Sequence, residues 1–323
     1  MRHIRIVFAT ALAAALFIAA PVRAAQTSSA QSQSTNTRPP MPPPTGPRYP
    51  TATQSPPPVV PGARYVTAKQ LTRLQMEEFL LHGEILSERP SGNGITHTKR
   101  VTMREGRIYH DAHVQSIDVY KPEYRTKEGV EKNFTDSYKY NIAAYRLDKL
   151  LGTELSPVCV YRVVDSKPSS LCWWVDDVMF DEAGRRDKHV DPPDLNYWSR
   201  QLNDVRDFDQ LIYNVDRNQG NLLIDKDWRV WAIDHSRSFR LAHTLRDPSI
   251  LRRISNKLLE GMKGLNEREL EVNLEPFISK EAIEALLARR DLLVKFFENE
   301  ISQKGPDVVL TDLPRRTERV TIP

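Results

Sequence analysis

Asp216 and Asn221 lie five residues apart, and Asp234 follows them at the end of the apolar run Val230-Trp231-Ala232-Ile233. All three side chains carry oxygen, and each suits a particular task. A carboxylate at 216 can orient a hydroxyl group or accept its proton. The Asn221 amide and the Asp234 carboxylate are hard oxygen donors of the kind that Mg²⁺ or Mn²⁺ prefers. A base beside two cation ligands is the equipment for phosphoryl transfer from ATP, a reaction carried by positioning and by neutralisation of phosphate charge. Arg217 has two readings: it pairs with a nearby acid, or it approaches a phosphate. The string Asp-Arg-Asn-Gln-Gly is by itself more often a surface turn than a site. Three features raise this one above a turn. The spacing to Asn221 fits, Asp234 ends an apolar strand where charge is costly unless used, and a long amphipathic helix feeds the loop.

The elements that must position these residues are readable around them. Leu222-Leu223-Ile224 and Val230-Trp231-Ala232-Ile233 are two short apolar strands joined by Asp225-Lys226-Asp227-Trp228, a hairpin that brings Asn221 and Asp234 together. Asn196 to Tyr213 reads as a helix, with Trp198, Leu202, Val205, Phe208, Leu211 and Ile212 forming its buried face. Upstream, residues 69–80 give a short amphipathic helix. Gly83 to Leu86, Val101 to Met103 and Arg107 to Asp118 then give a three-stranded meander. Its first turn, Ser91-Gly92-Asn93-Gly94, is either a plain hairpin turn or a loop that covers phosphates. Ser137 to Leu151 is a helix stopped by Gly152. Val158 to Val164 and Ser170 to Val175 are strands. The last long helix runs from Lys280 to Ser302 and stops at Gly305-Pro306. The order predicts an α+β chain of two lobes, a small antiparallel sheet lobe followed by a larger helical lobe.

Asp216-Arg217-x-x-x-Asn221 with Ala232-Ile233-Asp234 resembles the catalytic core of the atypical branch of the protein-kinase-like superfamily. That branch includes phosphoinositide kinases, HipA-type kinases and secretory-pathway kinases of the Golgi. The rest fits in order over about residues 80–240: the sheet with its glycine turn, Ile142 to Asp148 on a helix, and Pro157-Val158 entering a strand. The whole domain also resembles a group of bacterial secreted proteins. The resemblance implies a two-lobed fold that binds ATP and a divalent cation between its lobes. Asp216 is then catalytic with Arg217 beside it, and Asn221 and Asp234 hold metal. Gly92, Gly94, Gln115 and Trp174 fall at cofactor-binding positions. Trp173 and Trp174 wall an adenine pocket, or one packs in the core and the other lies on the surface. Three departures stand out. The phosphate-binding Lys of the third strand is replaced by Gln115, with Lys121 six residues further on. The helix Glu that pairs with that Lys falls at Asn141, with Asp136 the nearest acid upstream. His235-Ser236 follows Asp234 in place of Phe-Gly. Losing both halves of an ion pair is coherent, since neither leaves an unpaired charge. Alternatives to a phosphotransferase are a non-catalytic pseudokinase module and a nucleotidyl (AMP) transferase using the same site. The acceptor, whether protein, lipid or small molecule, has no readable code.

Composition bounds the rest. Arg2, His3 and Arg5, the uncharged stretch Ile6 to Ala20, and Val22-Arg23-Ala24 make a secretory leader over 1–24. The apolar stretch is short of the roughly 20 residues of a membrane span, so the mature chain is expected to be secreted or periplasmic without a transmembrane segment. Losing Arg2, Arg5 and Arg23 lowers the net charge of +4 by three, to +1. A near-neutral chain gives no electrostatic case for nucleic acid. Residues 25–65 are rich in Pro, Ser, Thr and Gln and read as a disordered linker. The sheet lobe spans 66–178, the helical lobe 179–305, and the charged tail 306–323 is expected to pack loosely. Cys159 and Cys172 flank a turn. If it centres on Asp165 and Ser166 they face each other and can bridge, while a shift of one residue leaves two reduced thiols. His110 and His113, three apart on a strand, face opposite ways and make a poor metal pair.

Overall fold

The computed structural model describes residues 64–91, 98–126 and 129–311. Strand β1 (Arg64–Tyr65) leads to helix α1 (Arg73–His82). Thr72 starts that helix with a capping box: its Oγ1 accepts the Gln75 N–H, and Gln75 Oε1 accepts the Thr72 N–H at 2.8 Å. Strands β2 (Glu84–Pro90), β3 (Lys99–Glu105) and β4 (Ile108–Gln115) form the expected antiparallel meander. Strand β5 (Asp118–Thr126) and β6 (Gly129–Ser137) then leave the sheet and form a separate two-stranded ribbon. Helix α2 (Tyr138–Leu151) starts at the Ser137 cap and ends at Gly152, whose φ of 69° is left-handed. Strands β7 (Cys159–Val164) and β8 (Lys167–Trp173) complete the sheet in the order β2-β3-β4-β8-β7, with β1 parallel to the start of β4.

The β7–β8 turn decides the cysteines. Asp165 and Ser166 both have positive φ, at 49° and 61°, which matches the twist of a two-residue hairpin. That register sets Cys159 opposite Cys172, and the two form a disulfide.

The helical half begins with strand β9 (Val178–Asp181) and helix α3 (Glu182–Asp187). Helix α4 (Leu195–Leu211) and the hairpin of β10 (Leu222–Asp225) and β11 (Val230–Ala232) follow. Strand β10 lies between β11 and β9. Strand β12 (Ile254–Ser255), α5 (Asn256–Gly264), α6 (Glu267–Leu274), α7 (Lys280–Lys304), α8 (Pro306–Val309) and β13 (Leu310–Thr311) end the described chain. Residues 306–311 do not pack loosely: β13 pairs in parallel with β12, and Val309 is buried.

Two cores stabilise these elements. One gathers Met76, Phe79 and Leu80 of α1 against Val101, Met103, Leu171 and Trp173 of the sheet. The other gathers Phe208, Leu211 and Ile212 of α4 with Ile283, Leu286, Leu293 and Phe297 of α7. Each fully buried side chain of this size contributes roughly 1.5–3 kcal/mol. Helix α2 belongs to both cores: Tyr138, Ile142 and Tyr145 enter the first, and Ala143, Leu147 and Leu151 the second. It is the shaft to which sheet and helical halves are both fixed. Among the described residues no helix is long and apolar enough to cross a membrane.

Candidate functional site

The loop between α4 and β10 is held from inside. Asn214, buried at the end of α4, donates from Nδ2 to Asp209 Oδ1 at 3.0 Å and accepts the Asp216 N–H at 2.9 Å. Arg217 spends its guanidinium on the protein. Nε and Nη2 grip Asp209 at 2.8 and 3.1 Å, Nη1 donates to the carbonyls of Asn221 and Ile233 at 3.0 and 2.6 Å, and Nη2 meets His235 Nδ1 at 3.0 Å. Of the two readings for Arg217, the acid partner holds. Arg217 is a positioning residue that locks α4 to both ends of the hairpin, and it has no free edge for a phosphate. The Ile233 N–H also donates to the Asn221 carbonyl at 3.1 Å. Asn221 and Asp234 are therefore neighbours by construction. Asp234 itself turns out of the strand at φ 53° and is exposed.

His235 closes the arrangement. It is buried, and its N–H donates to Asn141 Oδ1 at 2.7 Å. A guanidinium only donates, so Nδ1 is the acceptor and the ring proton sits on Nε2, facing Ser156 Oγ at 3.0 Å and the Ala232 carbonyl at 3.2 Å. Burial first, and then the Arg217 charge, push its pKa well below the ordinary value, so the ring is neutral.

Asp216 is half-exposed. Burial raises its carboxyl pKa, Arg237 opposes that, and the Asp234 charge adds to it. Arg237 Nη1 lies 3.8 Å from Asp216 Oδ2. Arg237 and Arg240, both in the segment after Asp234, also grip Glu131 of the ribbon. At the end of that ribbon the Ser137 N–H donates to the Ser236 carbonyl at 2.9 Å. Burial pushes the neighbouring Asp136 carboxyl up, and Asp234 and Asp216 add to this against Ser236 and Arg237. His113 of β4 is pushed down by burial, which the Asp234 charge partly opposes. His110 instead stacks on Trp173 with ring centres 3.6 Å apart.

The sheet side of the site carries neutral amides. Gln115 at the end of β4 accepts from Asn141 Nδ2 at 2.5 Å, and Asn141 passes the connection to His235. Lys121 does not stand in. It has left with the ribbon, is exposed, and lies over the Tyr124 ring at 4.5 Å. Both tryptophans are buried, so neither lies on the surface. Trp173 belongs to the sheet core. Trp174 carries the Arg100 guanidinium 4.0 Å above its ring, and Asp111 holds that guanidinium at 2.6 Å. Gly92 and Gly94 lie outside the described residues. A pocket with about 520 Å³ of space, counting its open mouth, is lined by Met76, Trp173, Asp176, Asp225 and Trp231 among others, and by none of Asp216, Asn221 or Asp234.

Among the described residues no three His, Cys, Asp or Glu side chains are close enough to hold a metal ion between them. The donors present, one amide and nearby carboxylates, suit a hard divalent cation that completes its shell with water and phosphate oxygens.

No family model and no curated protein matches the chain. Solved structures do. Hydra Fam20, determined with sugar, is 14% identical, covers 74% of this chain and 91% of its own, and superposes with a TM-score of 0.53. The Golgi casein kinase with Mn/ADP bound is 13% identical, covers 74% of this chain and 78% of its own, and gives a TM-score of 0.51. The chain shares the kinase-like fold of these structures. Its two lobes are the antiparallel sheet with α1 and α2, and the larger helical half.

Within this kinase-like fold several residues of the site escaped sequence reasoning. Asp209 gave no sign of its role, because its partner Arg217 is eight residues away around a helix end. His235 counted only as a departure from the superfamily's pattern. Glu131, Arg237 and Arg240 meet only because the ribbon exists, and the signal for the ribbon was weak.

Proposed function

We propose that the chain is an exported phosphotransferase of the atypical kinase-like kind, dependent on ATP and on Mg²⁺ or Mn²⁺. The observation that carries this is the locking of Asp216, Asn221 and Asp234 to one end of the β10–β11 hairpin by Arg217. Asp216, half-exposed and with its pKa raised, orients the acceptor hydroxyl and takes its proton. Asn221 and Asp234 hold the cation, which when bound neutralises phosphate charge. Trp174 and Gln115 border the nucleotide. The leader 1–24 directs export to the periplasm or the medium, and 25–65 tethers the domain. The acceptor is a protein, a lipid or a small molecule.

The full-length protein incubated with ATP and Mg²⁺ or Mn²⁺ is expected to turn over nucleotide, and Asp216→Ala and Asp234→Ala to abolish it. Equal turnover in either variant contradicts the mechanism. The mass of any adduct separates phosphoryl from adenylyl transfer.

One observation favours a second reading, that of a pseudokinase. The neutral Gln115–Asn141 pair brings no sheet cation to the phosphates. That reading expects nucleotide or metal to raise the melting temperature with no product formed.

A further inference from the structure

We propose that Asp136 is a further ligand for the divalent cation, a carboxylate brought into the site by the end of the β5–β6 ribbon. The proposal rests on the metal-dependent reading above. Asp136 is 9% exposed, and its Oδ1 is fully buried with no hydrogen-bond partner. A buried carboxylate oxygen without a donor is costly and calls for a positive partner. Two observations bring the Asp136 carboxyl group against the chain that follows Asp234. The Ser137 N–H binds the Ser236 carbonyl at 2.9 Å, so the backbones next to Asp136 and Asp234 run against each other. Ser236, two residues beyond Asp234, also sets its side chain against the Asp136 carboxyl group. Arg237 reaches the same corner: its Nη atoms go to Glu131 and Asp216, its Nε is buried without a partner, and its charge acts on Asp136 without a hydrogen bond to it.

The chemistry of the set is consistent. Two carboxylates and the Asn221 amide are hard oxygen donors, and the number of charged donors sets affinity for a hard cation. The second carboxylate also answers the loss on the sheet side. With Gln115 and Asn141 neutral, positive charge at the phosphates must come from bound metal, and Asp136 increases what the site can hold. The ribbon is thereby tied to function: it delivers Asp136 at one end and clamps Arg237 and Arg240 through Glu131.

The test is Mn²⁺ binding by the full-length protein, read from the loss of the free-ion electron paramagnetic resonance signal, with and without ADP. Melting temperature without metal serves as the folding control. Asp136→Asn and Asp136→Ser are expected to weaken Mn²⁺ binding at least about tenfold, since loss of even an outer partner of a metal site costs that much. Both are expected to keep or raise the metal-free melting temperature. Wild-type Mn²⁺ affinity in both variants, with affinity lost in Asp234→Asn, overturns the role of Asp136 and leaves the proposed function standing. No Mn²⁺ binding by the wild type, with or without ADP, overturns both.

Discussion

The two sides of the cleft are built from different materials. On the helical side an ionic hub, Arg217, is gripped by Asp209, tied to two carbonyls and capped by a neutral His235. On the sheet side two amides, Gln115 and Asn141, share one hydrogen bond. Helix α2 joins the sides, because the side-chain oxygen of Asn141 accepts the N–H of His235 while its nitrogen donates to Gln115. The contrast teaches that fixed charge is invested in placing the loop that carries Asp216, Asn221 and Asp234. It is absent from the Gln115–Asn141 side, so under the proposed function bound metal would supply the positive charge there.

Removing the hub is the largest test of that contrast. Arg217→Ala leaves Asp209 as a buried charge without its partner, and loss of about 3–5 kcal/mol is expected in urea unfolding. A loss no larger than that of Asn141→Ala breaks the comparison.

The helical side also bears a cost that sharpens it. Burial pushes the Asp204 carboxyl of α4 up to about 6 from an unfolded value of 3.8. Between those values the folded chain keeps a proton that the unfolded chain releases. From this group, stability therefore falls as pH rises from about 4 to about 6, and Asp207, pushed well up by burial and by the Asp204 charge, adds a slope of the same sign. Asp204→Asn still offers an acceptor to the Ser255 N–H. It is expected to reduce that slope, leaving the part due to Asp207, and to gain roughly 3 kcal/mol at neutral pH. Unfolding measured across pH 4 to 7 checks both parts, and an unchanged slope contradicts the assignment.

Asn141→Ala strips partners from Gln115 and from the His235 N–H and is expected to cost about 1–3 kcal/mol. Calorimetry should show it between the hub and the surface. Glu131→Gln frees Arg237 and Arg240 at a partly exposed site, and its stability cost is expected below about 1 kcal/mol. A larger loss would make the ribbon a structural support of the helical side.

Legibility in the sequence followed the strength of local signals. Helices α4 and α7 carry long apolar stripes, α2 ends on a left-handed Gly152, and the β7–β8 turn has residues that tolerate positive φ, so these were readable. The ribbon was not. Strands β5 and β6 expose most of their residues on both faces, so they lack the alternation that marks a half-buried strand, and Pro122 interrupts the first of them. Strand β9 and α3 are too short to show a period. The same split runs through the site. The approach of Asn221 to the end of the second hairpin strand was legible from spacing. Asp209 and Asp136 were not, because they arrive from a helix end and a ribbon end that only the folded chain brings close.

The central claim is that the locked hairpin end transfers phosphate with the help of a divalent cation. It is tested most directly by following γ-labelled ATP with the wild type and Asp234→Ala, in Mn²⁺ and in chelator. The account predicts label release or transfer by the wild type in Mn²⁺ alone, reduced at least about a hundredfold in the variant, the scale expected when a group that stabilises transition-state charge is lost. Equal turnover by the two proteins, or turnover that persists in chelator, would contradict it.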